Sequence, residues 1–168
     1  MEIQLAVATT KQQQLPEFKR WFGKSKCVDK QGKPLRVYHG TSKPSFNSFI
    51  NGLNKAEGES GIFFTSDPET AGRYAGYDEN FPSPVIGHVL PCYLKINKLH
   101  AHDFHGGKEG RADVIREALR KGCDGVLLLN HFDVGGTHPQ WIVFHPAQIK
   151  SAIGNNGKFD EYSFDTGE

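Results

Sequence analysis

Two hydrophobic periods run along the chain, and the polar turns between them mark out its elements. Leu35, Val37 and His39 share one parity of an extended stretch and Arg36 and Tyr38 the other. Residues 34–42 therefore read as a strand that ends on an imidazole in line with core-facing side chains, followed by Gly40, Thr41 and Ser42. Residues 61–65 form a second, short apolar strand that runs straight into Ser66-Asp67-Pro68-Glu69. A capping side chain, a proline and an acid in the first turn mark a helix start there, and Ala71 and Tyr74 are neighbours at i, i+3 on the helix. Residues 85–96, interrupted by Gly87 and Pro91, predict one bent strand or two short ones, edge-placed at the proline. Residues 111–121 carry the stripe Ala112, Ile115, Ala118 and Leu119 and stop at Gly122, which reads as a scaffold helix. Val126 to Leu129 are too uniformly apolar for a half-exposed strand and predict a central one; 141–144 and 148–152 follow as strands, with Gln140 at the opening of the first.

Upstream, 15–23 predict a short helix with Pro16 in its first turn and Phe18, Trp21 and Phe22 on one face. Residues 1–14 read as a flexible arm, 15–154 as one domain and 155–168 as a polar tail. Strands outnumber helices, no repeat is visible, and strand and helix do not alternate regularly, so the class is α+β with a mainly antiparallel sheet system.

Composition narrows the partners little. Twenty Lys+Arg against nineteen Asp+Glu leave a formal charge of +1 in 168 residues, so neither a basic field for nucleic acid nor an acidic tail stands out. Cys27, Cys92 and Cys123 are odd in number and widely spaced, which fits a reducing compartment better than a disulfide framework. The first residues are too short in apolar length for a secretory signal and no run approaches a membrane span. The expectation is a soluble, cytoplasmic protein without a membrane partner, delivery into another cell by some other route staying open. His100, His102 and His105 have metal-like spacing but lack a second motif, and read as a solvated loop; no metal is expected.

The chemistry gathers at three places. Gly40 lets a ligand approach the backbone, whose N–H and C=O can read a planar amide, while Thr41 and Ser42 offer short donors. Phe63 and Tyr74 can wall a flat slot suited to an aromatic ring. The glycine-bearing stretch from Asn51 to Ser60 reads as a loop that covers the site.

Three separated pieces, Tyr38-His39-Gly40-Thr41, the stretch from Gly61 through Asp67 to Ala71 and Tyr74, and Gln140-Trp141-Ile142-Val143-Phe144, resemble the ADP-ribosyltransferase superfamily in its diphtheria-toxin and poly(ADP-ribose) polymerase branch. The run from Glu17 to Gly23, Gly32-Lys33-Pro34-Leu35 and the run from Phe144 to Ala152 resemble more closely the ADP-ribosyltransferase domains of phage polyvalent and related bacterial proteins. The resemblance implies a split antiparallel β-sandwich with flanking short helices and a cleft for NAD as co-substrate. It further implies transfer of ADP-ribose to a macromolecular acceptor, protein or nucleic acid, with release of nicotinamide, as in a toxin or effector. By the same resemblance His39 bonds the adenosine ribose, the Gly40 backbone pairs with the nicotinamide carboxamide, and Tyr74 stacks on the ring. Phe63 stands where the family's middle tyrosine usually does, and Thr41, Thr65 and Ala71 complete the NAD-binding set.

The chain departs from the family on the third strand, where Gln140 replaces the usual glutamate, as a native or an introduced exchange alike. Cleavage passes through an oxocarbenium-like ribose, and a carboxylate on the ribose 2′-hydroxyl strengthens its interaction as positive charge develops. Glutamine keeps the acceptor and loses the charge, which typically costs about 2.7–4 kcal/mol, or roughly a hundred- to a thousandfold in rate. The implied activity is thus mono-ADP-ribosylation, attenuated at Gln140, rather than chain building. The alternative is a catalytically inactive module that binds NAD or ADP-ribose, or serves as an interaction module in a phage or secreted assembly. RNA 2′-phosphotransfer, a related chemistry, wants arginines around the site, for which Arg36 and Arg73 are thin support.

Overall fold

The protein is described here from a computed structural model covering residues 12–43, 48–54, 60–76, 87–105, 109–133 and 136–153. The predicted tail 155–168, most of the predicted arm and residues 55–59 of the loop from Asn51 to Ser60 lie outside these residues. Helix α1 (Pro16–Phe22) starts on its proline and buries Phe18, Trp21 and Phe22 against Tyr93 and Ala152. Just before it, the buried Gln12 donates through Nε2 to the Ser151 carbonyl at 2.7 Å, and Gln13 Nε2 donates to the Tyr93 hydroxyl at 2.9 Å.

Strands β1 (Val37–Thr41) and β2 (Ile62–Thr65) precede helix α2 (Pro68–Tyr74), which is capped by the Asp67 carboxylate accepting from the Thr70 N–H. Strands β3 (His88–Leu94) and β4 (Leu99–Asp103), helix α3 (Arg111–Arg120), and strands β5 (Gly125–Leu129), β6 (Gln140–Val143) and β7 (Ile149–Ser151) complete the order. The α+β class stands. The strands form one seven-stranded mixed sheet in the order β4-β5-β6-β2-β1-β3-β7, antiparallel except for the β4–β5 pair.

The sheet is buried on both faces at its centre. From β6, Trp141 and Val143 enter one core with Phe64, Val37 and Leu94, while Ile142 and, just beyond the strand, Phe144 enter the other with Val126 and Leu128. Helix α3 covers that second core through Val114, Ile115 and Ala118. Burial on both faces explains why β5 and β6 read as continuous apolar runs. In β3 the proline falls at an edge of the described sheet: β7 pairs with Cys92, Tyr93 and Leu94, so among the described strands Pro91 has β1 alone as a neighbour.

His100 and His102 lie in β4, whose register with β5 runs from Leu99↔Gly125 to Asp103↔Leu129, instead of in a solvated loop. Their residue types favour a strand weakly, and pairing along the central β5 overrides that preference. No three histidine, cysteine or acidic side chains stand together as metal ligands among the described residues. No helix among them is long and apolar enough to cross a membrane.

The sheet has one seam. Strands β2 and β6 pair from Ile62↔Val143 to Thr65↔Gln140, whereas β1 and β2 share the single pair Tyr38↔Thr65. The half β4-β5-β6-β2 and the half β1-β3-β7 thus part at the β1–β2 junction.

Candidate active site

A cavity of ≈ 240 Å³ opens at this seam. His39 and Gly40 reach it from β1, Phe63 and Thr65 from β2, Ala71 and Tyr74 from α2, and Gln140 from β6. Of the donors and site residues singled out in the sequence, Thr41 and Ser42 do not line it; Thr41 ends β1 opposite His88.

The register explains the convergence. Tyr38, Thr65 and Gln140 lie in one line across β1, β2 and β6, so a residue at the mouth of β6 stands two strands away from Tyr38, next to His39 in β1. His39 crosses the seam with its side chain, its Nδ1 lying 2.8 Å from the Phe63 carbonyl. A carbonyl only accepts, so Nδ1 carries a proton, which in a neutral ring leaves Nε2 as the acceptor. Phe49 packs edge-on to the ring at 5.0 Å and Phe64 packs tilted to it at 5.4 Å between centroids.

Glycine at position 40 is required by α2. A Cβ there would stand 1.9 Å from the Ala71 carbonyl oxygen, so the helix backbone rests directly on β1. Gly87 serves the same packing farther along, where a Cβ would meet the Ala75 carbonyl at 2.0 Å.

Three lining residues escaped the sequence reading. Asp133 accepts from Gln140 Nε2 at 2.9 Å and pairs with Arg111 Nη1 at 3.3 Å through the same Oδ2. The Tyr74 hydroxyl also bonds to Asp133; burial first, then this bond and the negative charge of Asp133, push the phenol up despite the opposing Arg111. Arg111, assigned to scaffold from its helix, lays its guanidinium 4.9 Å from the centre of the Phe63 ring and so occupies one face of that aromatic wall. His138 completes the set, its Nε2 lying 3.7 Å from Asp67 Oδ2. Asp133 carries no motif, and only its place seven residues before Gln140 could have drawn notice. His138 stands two residues before Gln140, a nearer signal.

Gln140 itself is 8 % exposed. With Nε2 committed to Asp133, its Oε1 is buried and has no hydrogen-bond partner among the described residues. An amide oxygen left so typically costs about 1–3 kcal/mol, which a ligand donor can relieve.

No curated protein is similar enough to the chain to count as a match. Residues 29–109, which span β1, β2, α2, β3 and β4 but neither Asp133 nor Gln140, match the family model described as ADP-ribosyltransferase in polyvalent proteins. Over that stretch, just under half of the chain, the sequence is similar to this ADP-ribosyltransferase family.

Proposed function

We propose that the protein is an NAD-dependent mono-ADP-ribosyltransferase whose reaction takes place in the cavity at the seam. The observation that supports this reading is the meeting of His39, Tyr74, Phe63 and Gln140, far apart in sequence, around one cavity. Small-molecule sites usually run to about 300–1,000 Å³, so ≈ 240 Å³ suits the nicotinamide-ribose end of the dinucleotide with the remainder running outside. Tyr74 stacks on the cationic pyridinium, a contact worth about 0.5–2 kcal/mol beyond apolar burial. His39 offers Nε2 to a ribose hydroxyl, and the Gly40 backbone reads the carboxamide.

In the reaction the bond between the nicotinamide nitrogen and ribose C1′ breaks, and its electron pair leaves with neutral nicotinamide. The cationic ribose then bonds to the acceptor's hydroxyl, amine or thiol, which gives up its proton to solvent. Gln140 takes the place from which a carboxylate would meet the 2′-hydroxyl, so positioning supplies much of the catalysis and one ADP-ribose is passed per acceptor. The same glutamine favours the second reading, a module that binds NAD or ADP-ribose without cleaving it.

Two measurements decide between them. Millimolar NAD should raise the thermal midpoint, and the protein should release nicotinamide from NAD. His39→Ala should abolish release, and Tyr74→Ala should weaken the thermal protection. Protection without release selects the binding module; no shift of the midpoint at millimolar NAD removes the site altogether.

A further inference from the structure

We infer that Asp133 is a positioning residue that restores, through Gln140, the negative charge absent from the third strand. The inference rests on the reading of the cavity as an NAD site and deepens it. Asp133 Oδ2 accepts from Gln140 Nε2 at 2.9 Å, which decides how the amide is turned: its nitrogen faces the carboxylate, and its oxygen is left as the acceptor that nothing protonates. A donor bonded to an ionised carboxylate makes a short, strong hydrogen bond and shifts electron density toward the far end of the amide. Oε1 therefore becomes a better acceptor for a ribose hydroxyl than an isolated glutamine oxygen. It responds more strongly as C1′ gains positive charge.

The carboxylate is fixed for this role from three elements. Gln140 holds it from β6, Arg111 from α3 and the Tyr74 hydroxyl from α2. Arg111 offsets part of the charge, but its side chain is 36 % exposed and the pairing is longer, at 3.3 Å, so water screens it. No bond to the substrate is made or broken by Asp133. Nicotinamide leaves with the C1′ bonding pair as before, and the electrostatic stabilisation of the cation it leaves behind is what Asp133 increases.

The test moves the carboxylate from one position to the other. Asp133→Asn keeps the acceptor geometry and removes the charge; it should lower kcat for nicotinamide release about ten- to a hundredfold, less than the roughly hundred- to thousandfold typical of a direct contact. Its thermal shift with NAD and its KM should stay near those of the unmodified chain. Adding Gln140→Glu to Asp133→Asn should bring release back to the original rate or above it. Gln140→Glu alone crowds two carboxylates at hydrogen-bond distance and should gain less than the double variant. A purely structural Asp133 would leave the double variant as slow as Asp133→Asn, and that result overturns the inference, as does Asp133→Asn releasing nicotinamide at the unmodified rate. In either case NAD protection and the loss in His39→Ala persist, so the NAD site stands while this role falls. A chain that NAD does not protect sinks both.

Discussion

The two sides of β2 are built differently. Toward β6 it is paired at each of its four residues, and the side chains of both strands feed the two cores. Toward β1 it makes one pair, and the His39 imidazole bonds to the Phe63 carbonyl where backbone pairing has stopped. A complete ladder fixes positions but leaves no room between strands; an interrupted one leaves room but has nothing of its own to fix positions. The cavity uses both. Gln140 and Thr65 are set by the paired side, and His39 is set on the open side by its side-chain bond to the Phe63 carbonyl with two aromatic rings beside it. Rigid neighbours around an open junction are what a site needs if its groups are to meet a ligand in one geometry.

The contrast is testable with one methyl group on each side. At Gly40, in the open region, the added Cβ of Gly40→Ala would fall 1.9 Å from a backbone carbonyl of α2. Neither β1 nor α2 can yield by a rotamer change, so the helix must lift. The loss should exceed the roughly 1–3 kcal/mol of ordinary overpacking, and NAD protection should vanish with it. At Gly125, in the paired region, the three atoms nearest the added Cβ would all be side-chain atoms of Ile96, the nearest at 2.5 Å. A side chain can repack, and the cost should stay within about 1–3 kcal/mol with NAD protection kept. Denaturant midpoints of the two variants provide the comparison. Equal losses, or lost NAD protection in Gly125→Ala, would erase the distinction between the two sides.

The paired side was also the more legible one. Alternation and apolar runs locate β1, β2, β5 and β6 to within a few residues, because each strand's burial is written in its own side chains. Strand β4 was missed for the opposite reason: His100, Ala101 and His102 say little by themselves, and it is β5 that makes them a strand. At the site, His39, Phe63, Tyr74 and Gln140 were visible as unusual residues at strand ends or on a short helix. Asp133 and Arg111 were not, since an aspartate before a glycine turn and an arginine opening a helix are common in those places. Their importance comes only from the fold, which brings the start of α3 and the approach to β6 onto the same wall. The glycine at position 40 was legible as an opening for ligand, whereas the demand it meets in the fold is the seating of α2.

A smaller effect should appear at the rim of the open side, where Asp67 ties the start of α2 to the end of β2. Its carboxylate accepts from the Thr70 N–H at 2.8 Å and from the Thr70 hydroxyl at 2.6 Å, with His138 at 3.7 Å. Burial raises its pKa, but the two Thr70 bonds and the His138 charge outweigh burial and hold the carboxyl below its usual range. A folded pKa lower than the unfolded one means that the stabilisation is present above the unfolded value, about 3.9, and is lost as pH falls through the folded value. Removing the cap with Asp67→Ala should therefore cost about 0.5–2 kcal/mol at neutral pH. Measured by denaturation across pH, the gap between the two proteins should hold steady from about pH 7 to pH 5 and close in stronger acid, below the usual carboxylate range. A gap that stays open after the carboxylate has taken up its proton would mean that Asp67 holds α2 by packing rather than by its charge, and that this side of the cavity owes less to electrostatics than the hydrogen bonds suggest.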